Sequence, residues 1–216
     1  MELVQVDTQR AYEQIREKII TLVLAPSTLI NEQQLAEKLN IGTTPVREAL
    51  KLLAHDDLVV ITPRHGLYIA DINIPDLEQL SEMRLPLESL CAKLAAERVN
   101  PDDLAVLEAL REQQAFVAPE DSRGLLDIDH KFHQALVKTA KNKYLARTLE
   151  HCFGLSQRLW YMALPQLDFL PTAVAEHLDI LDAIKNRDAD RAAKIMQDHV
   201  QAFYGKVKEV LEAKVK

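Results

Sequence analysis

Thr44-Pro45-Val46-Arg47-Glu48-Ala49-Leu50-Lys51-Leu52-Leu53 is the stretch whose reading decides the fold. A hydroxyl stands where it can cap a helix, and proline follows at the first helical position, where its missing N–H costs nothing. Just upstream, Asn40-Ile41-Gly42 reads as a tight turn. Before it, Asn31 precedes a short helix with Leu35, Ala36 and Leu39 on one face. Further back, Tyr12, Ile15, Ile19 and Leu22 recur at helical spacing, which predicts a helix from Thr8 to Leu24 capped by Asp7 or Thr8. Ala25-Pro26-Ser27-Thr28 interrupts it. Downstream, Leu58 to Thr62 and Leu67 to Ala70 carry strand propensity, and Pro63-Arg64-His65-Gly66 between them is a turn.

Three short helices closed by a hairpin match a winged helix-turn-helix, whose third helix enters the major groove of DNA. The Thr43 and Thr44 hydroxyls and the N–H groups of the first turn can face a phosphate. Arg47 projects from that turn toward base edges, and Lys51, one turn on, reaches the backbone. Arg47 can grip guanine with two hydrogen bonds. At the hairpin tip Arg64 and His65 flank Gly66, whose missing side chain lets the main chain approach phosphate or a minor groove. The bland alternative makes Arg47 and Glu48 a solvated helix face and Arg64-His65-Gly66 an ordinary turn. Bulk charge does not decide between them. The net charge is −7, and neither the first 71 residues nor the remainder holds more Lys and Arg than Asp and Glu, so any DNA contact must be local.

The 216 residues suffice for one large domain or two modest ones without disulfide help. With 48% apolar and 27% charged residues, five glycines and few aromatics, a mostly helical soluble protein is expected. After Asp71 the pattern is helical to the end, in about six segments. One begins at Pro75 and one at Asn100-Pro101. Four more run from about Ser122 to Ala140, Asn142 to Ala163, Pro171 to Lys185, and Asp188 onward. Pro86 is expected to kink the first. The fold class is therefore mainly α, with a winged helix-turn-helix over residues 1–71 and an all-α bundle over 72–216. No stretch approaches the ~18 to 20 apolar residues that span a bilayer, and no basic leader precedes an apolar block, so a cytoplasmic protein is expected. Cys91 and Cys152 lack metal-ligand spacing and read as buried reduced thiols.

Within the bundle, Leu125, Asp129, Phe132 and Leu136 fall at steps of four, three and four, which places Asp129 on an apolar stripe with His133 one turn on. His177 shares a face with Val174, Leu178, Leu181 and Ile184, and His199 with Ala192, Ile195, Met196 and Phe203. An unpaired buried carboxylate is costly, and a divalent cation bound by Asp129, His133, His177 and His199 would satisfy all four groups together. A single histidine on an apolar stripe is more often a hydrogen-bonded core residue than a ligand, and the pair of Asp129 and His133 could be only an i,i+4 hydrogen bond; four convergent cases favour the metal. Arg84 lies on the stripe of Leu80, Leu87 and Cys91, facing inward either to an anionic ligand or to Glu88 or another acid. Ser156, on the stripe of Leu149, Cys152 and Leu159, either adds a hydroxyl to such a pocket or bonds back to its own helix. His55, His130 and His151 are expected at the surface.

Leu35-Ala36-Glu37-Lys38-Leu39, Thr44-Pro45-Val46-Arg47-Glu48-Ala49-Leu50, Leu58-Val59 and Arg64-His65-Gly66 resemble the N-terminal domain of the GntR family. Asp129-x-x-Phe132-His133, Glu176-His177 and Met196-x-x-His199 look like the ligand motifs of the FCD domain of its FadR subfamily, and Glu82-x-Arg84-x-x-x-Glu88 resembles that domain's start. The resemblance covers nearly the whole chain. It implies a dimeric bacterial transcription regulator with operator DNA as partner, and the shorter six-helix form of the effector domain. It also implies that the Asp and three His bind a metal, most often zinc, with nickel or manganese as alternatives. Oxygen and nitrogen donors alone would not choose among these. Gly42 and Thr43 stand where the family usually has Ser-Arg, which removes one common DNA contact, and Val23 and Ser27 replace common glycines.

The expected function is a ligand-responsive regulator, a repressor, sensing a small organic or sugar acid beside the metal and Arg84, and dimeric to match two half-sites. A metal-dependent hydrolase is the rival from another class, because Asp and His ligands can also activate water. No general base or nucleophile accompanies the ligands, however. A purely structural metal is the third reading.

Overall fold

The Thr-Pro-Val stretch does open a helix, but two residues earlier than its hydroxyl pattern predicts. In the computed structural model, which describes residues 2–215, helix α3 is Thr43–His55 with extended Gly42 as N-cap and no side-chain cap bond. Pro45 therefore sits in the third helical position. Proline is harmless there too, because none of the first-turn N–H groups has an intrahelical partner. Contacts divide the chain into two units, Met1–Asn73 with Gly154–Tyr161, and Ile74–Phe153 with Met162–Lys216.

In the first unit α1 spans Glu2–Ile20, α2 Glu32–Leu39, β1 Val59–Thr62 and β2 Gly66–Ile69. Helix α1 begins well before the expected start, so Asp7 and Thr8 lie inside it and do not cap it. Asp7 instead lies 3.2 Å from Arg10. The helix also ends sooner than Leu24, with Leu22 left-handed at φ 60°. Asn31 caps α2 by accepting from the Gln34 N–H at 3.0 Å. Asn40 takes the left-handed turn at φ 51°, which asparagine tolerates better than most residues. Ile15, Ile19, Leu35, Val46, Leu50 and Leu53 are among the side chains that close over one another as the core.

The two strands pair antiparallel, Val59 with Ile69 and Thr62 with Gly66, so Gly66 is the first residue of β2 and not the last of the turn. Its φ of 109° and the 3.1 Å approach of Leu29 leave little room for a side chain. The loop after α1 adds a bridge to the hairpin, Leu29 to Tyr68, which the sequence did not show. Leu155, from the Gly154–Tyr161 segment, packs on this core, and buried Arg158 donates to the Ala70 carbonyl.

The second unit holds α4 Ile74–Arg98, α5 Pro101–Gln114, α6 Ser122–Thr139, most of α7 Lys143–Ala163, α8 Leu170–Ala175, α9 His177–Lys185 and α10 Ala189–Val215. Asn100 and Asp103 form a reciprocal capping box at the start of α5, Asp121 caps α6 and Asn142 caps α7. The long helices α4 and α10 run antiparallel. Arg84 bonds Tyr204, Ser89 bonds Ala193 and Lys93 bonds Asp190, a register that falls in one helix as it rises in the other. Helix α4 continues through Pro86. The segment expected as one helix from Pro171 to Lys185 is two, broken at Glu176. Among the described residues no helix is long and apolar enough to cross a membrane.

Candidate metal centre and nucleic-acid interface

Helix α3 presents a polar edge to solvent. Thr43, Thr44, Arg47, Glu48 and Lys51 are exposed, while Val46, Ala49, Leu50 and Leu53 are buried. With no acid in the first turn and no side-chain cap, the orphan N–H groups and positive dipole end remain open to a phosphate. Both cations on this edge are already engaged. Arg47 reaches Glu32 through Nη2 at 2.8 Å and Nε at 2.9 Å, and Lys51 lies 2.7 Å from Glu48. The pairing with Glu32 holds the Arg47 guanidinium above its ordinary pKa. Exposed pairs of this kind are weak, so they can yield to DNA. At the hairpin tip Arg64, His65 and Gly66 are all exposed, with Arg64 left-handed at φ 67°.

In the second unit Asp129 and His133 from α6, His177 at the head of α9 and His199 from α10 converge. One donor atom from each lies within 4.8 Å of all the others, and all four residues are at most 4% exposed. Ligand bonds near 2.0 to 2.2 Å would place donors about 3.4 Å apart around a tetrahedral ion, so binding requires an inward closure of the donors by about an ångström. Asp129 Oδ1 lies 3.3 Å from His177 Nε2 and 3.8 Å from His133 Nε2. The first of these is a close approach without aligned hydrogen-bond geometry. Asp129 Oδ1 and both ring nitrogens of His177 are buried without an aligned hydrogen bond among the described residues. Orphaned donors and acceptors in a dry centre are what a cation would satisfy.

The imidazoles are oriented from behind. His133 Nδ1 lies 2.5 Å from Glu88 Oε2, and His199 Nδ1 lies 2.8 Å from Glu176 Oε2, which leaves each Nε2 to face the cluster. Carboxylates set against the far nitrogen in this way fix tautomer and ring plane at metal centres. Phe132 stacks on His177 with centroids 4.2 Å apart and planes 10° from parallel. Glu88 also pairs with Arg84 at 2.5 Å, and Arg84 donates to the Tyr204 hydroxyl at 2.9 Å with Phe153 beneath it at 4.0 Å. Arg84 thus resolves in favour of Glu88 as its partner within the fold.

Burial alone would raise the Glu88 carboxyl, but Arg84 and then His133 outweigh it and hold it below the usual range. Burial would lower His133, yet Glu88 and Asp129 carry it above its ordinary value. His177 has no such carboxylate behind it, and burial depresses it to about 4, so it is neutral and ready to donate a lone pair. Burial would likewise raise Asp129, but the imidazoles around it pull it down, and it remains ionised.

Sequence periodicity found the four converging residues but not Glu88 and Glu176 in these roles. A buried carboxylate one turn after inward-facing Arg84 was the available signal for Glu88. For Glu176 the signal was an acid directly before a buried histidine. Ser156 is fully buried but falls in the Gly154–Tyr161 segment of the first unit, not in the unit that holds the four ligands. His130, expected at the surface, is half-buried with its ring edge-on to Phe153 at 5.3 Å, because it lies beside Asp129 on the inner shoulder of α6. Cys91 and Cys152 are buried free thiols as expected, and burial pushes Cys91 up.

Two family models match the chain. The FCD domain matches residues 79–202, and the model described as bacterial regulatory proteins, gntR family, matches residues 7–69. Among curated relatives, the HTH-type transcriptional repressor RspR of Escherichia coli K12 is 27% identical over 94% of this chain and 89% of its own length. The HTH-type transcriptional regulator YdhC of Bacillus subtilis is 27% identical over 93% and 91%. The solved structure of E. coli McbR/YncC superposes with a TM-score of 0.83 at 21% identity, covering 94% of this chain and 97% of that one. A GntR regulator from Rhodococcus sp. RHA1 gives 0.74 at 20% identity, covering 93% and 96%. At these identities the structures share the fold. The relatives are regulators of transcription and not enzymes, which removes the hydrolase reading. With an N-terminal winged helix-turn-helix and an FCD domain behind it, the chain belongs to the GntR family of DNA-binding transcriptional regulators.

Proposed function

We propose that this regulator is a ligand-responsive repressor whose helical domain, residues 72–216, holds one divalent cation between Asp129, His133, His177 and His199. Convergence of the four buried donors, with orphaned atoms on Asp129 and His177, carries this reading. Zinc suits three imidazoles and one carboxylate, and nickel or manganese would be accepted by the same donors. When bound, the cation would supply a Lewis-acidic anchor for an effector carboxylate. Arg84 is the protein group that would meet the same anion. Since Glu88 and Tyr204 already hold Arg84, an effector carboxylate there competes with Glu88 and would loosen the support of His133.

The DNA reader, residues 1–71, would set Thr43, Thr44, Arg47 and Lys51 in the major groove, with Arg64, His65 and Gly66 on the flanking backbone or minor groove. Two readers are needed for two half-sites about 34 Å apart. Helix α4 offers a surface for pairing with a second copy. Leu80, Met83, Leu87, Leu90 and Leu94 recur at steps of three and four; Leu80, Leu87 and Leu94, expected on the buried stripe of Arg84, are only half-buried, and Met83 is 50% and Leu90 42% exposed. That spacing is a coiled-coil seam, which a twofold-related copy matches with itself.

The test combines metal analysis with gel shifts on operator-containing DNA. Wild-type protein should carry about one divalent cation per chain, and organic acids should change operator affinity by about 5- to 150-fold. His177→Ala should lose both the cation and the ligand response. If the variant loses stability and metal but keeps the response to ligand, the metal is structural.

A further inference from the structure

Between α6 and α7, wholly within the second unit, lies a cavity of about 340 Å³ that the reading above does not use. That is the small end of ligand-pocket sizes. Val137, Ala146 and Phe153 supply its apolar lining, and Gln134, Lys138, Arg147 and Glu150 its polar one. Gln134 donates to Glu150 at 3.5 Å. Among the described residues neither Lys138 nor Arg147 enters an ion pair, so two uncommitted cations border an apolar floor on a chain of net charge −7. Arg84, by contrast, is bound to Glu88 and Tyr204. An anion meeting Lys138 and Arg147 displaces no protein carboxylate.

Phe153 is the wall shared by this cavity and the buried ionic chain. Only 1% exposed, its ring lies 4.0 Å from the Arg84 guanidinium carbon, 5.4 Å from the His133 ring and 5.3 Å from the His130 ring. Interiors this dense transmit a displaced ring to its neighbours.

We propose that the cavity binds a small organic anion with an apolar body. The body rests on Val137 and Ala146, Arg147 and Lys138 hold the anionic end, and Phe153, at the back of the cavity, conveys occupancy to Arg84 and His133. The binding step requires no metal.

Benzoate, with benzamide as its neutral counterpart, is the probe, titrated calorimetrically into the full chain both chelator-treated and metal-loaded. Benzoate should bind both forms, and benzamide at least about tenfold more weakly. Lys138→Ala with Arg147→Ala should lower benzoate affinity about tenfold or more, and Ala146→Trp, which fills the cavity, should abolish binding. Imidazole NMR signals of His130 and His133 should move with benzoate in the wild type and not in Ala146→Trp. No binding at millimolar benzoate, or equal affinity in the double alanine variant, would overturn the proposal. Should Ala146→Trp fail to fold, the double variant still decides. Failure of the metal reading would appear as absence of metal with the benzoate isotherm intact, so the two can be told apart.

Discussion

Glu88 sits between two buried partners, Arg84 at 2.5 Å and His133 at 2.5 Å, and its charge is what keeps each of them in place. Replacing Glu88 by Gln retains an acceptor for His133 but removes the negative charge opposite Arg84. Loss of a carboxylate behind a ligating imidazole costs about 10- to 100-fold in metal affinity. Competition against a chromophoric chelator should show a loss in that range for Glu88→Gln. Arg47 presents the reverse situation on the DNA side, since Glu32 occupies the fork that would grip a guanine. Glu32→Gln should therefore raise operator affinity modestly by freeing that fork. Arg47→Ala should cost about tenfold or more for a site with guanine at the contacted position. Fluorescence anisotropy on labelled operator measures both. A fall in affinity for Glu32→Gln would show that the acid positions Arg47 instead of competing for it.

Helix α4 works through two faces. Leu77, Arg84, Glu88 and Cys91 are buried, while Met83 and Leu90 point outward on the seam of Leu80, Leu87 and Leu94. Because Leu90 is exposed in the single chain, Leu90→Glu should leave that chain folded and shift sedimentation from dimer toward monomer. A variant that stays dimeric would place the contact between copies elsewhere. Much of this architecture was legible in the sequence, because helical periodicity assigns faces one helix at a time. It placed Asp129 and His133 together by their four-residue step, and put His177 and His199 on inner faces. Periodicity cannot say which inner faces meet. For that reason Glu88 on α4 and Glu176 at the α8–α9 break went unread as supports for histidines on α6 and α10. Local signals failed at element ends for a related reason. Asp7 and Thr8 look like caps, yet the helix runs past them, and the apolar stripe through Val174 and Leu181 hides the break at Glu176.

At the scale of the whole molecule, the central cluster should couple metal to stability. A cation that binds only the folded domain adds about 2.7 kcal/mol at a hundredfold excess over its Kd, so chelation should lower the melting temperature by about 5 to 10 °C. Differential scanning calorimetry with and without EDTA, followed by readdition of zinc, reads this directly. The most direct test of the account is the metal content of gently purified protein by inductively coupled plasma mass spectrometry, wild type against His177→Ala. The account predicts about one divalent cation per chain in the wild type and almost none in the variant. A metal-free wild type, or a variant that retains the same cation at the same ratio, would contradict it.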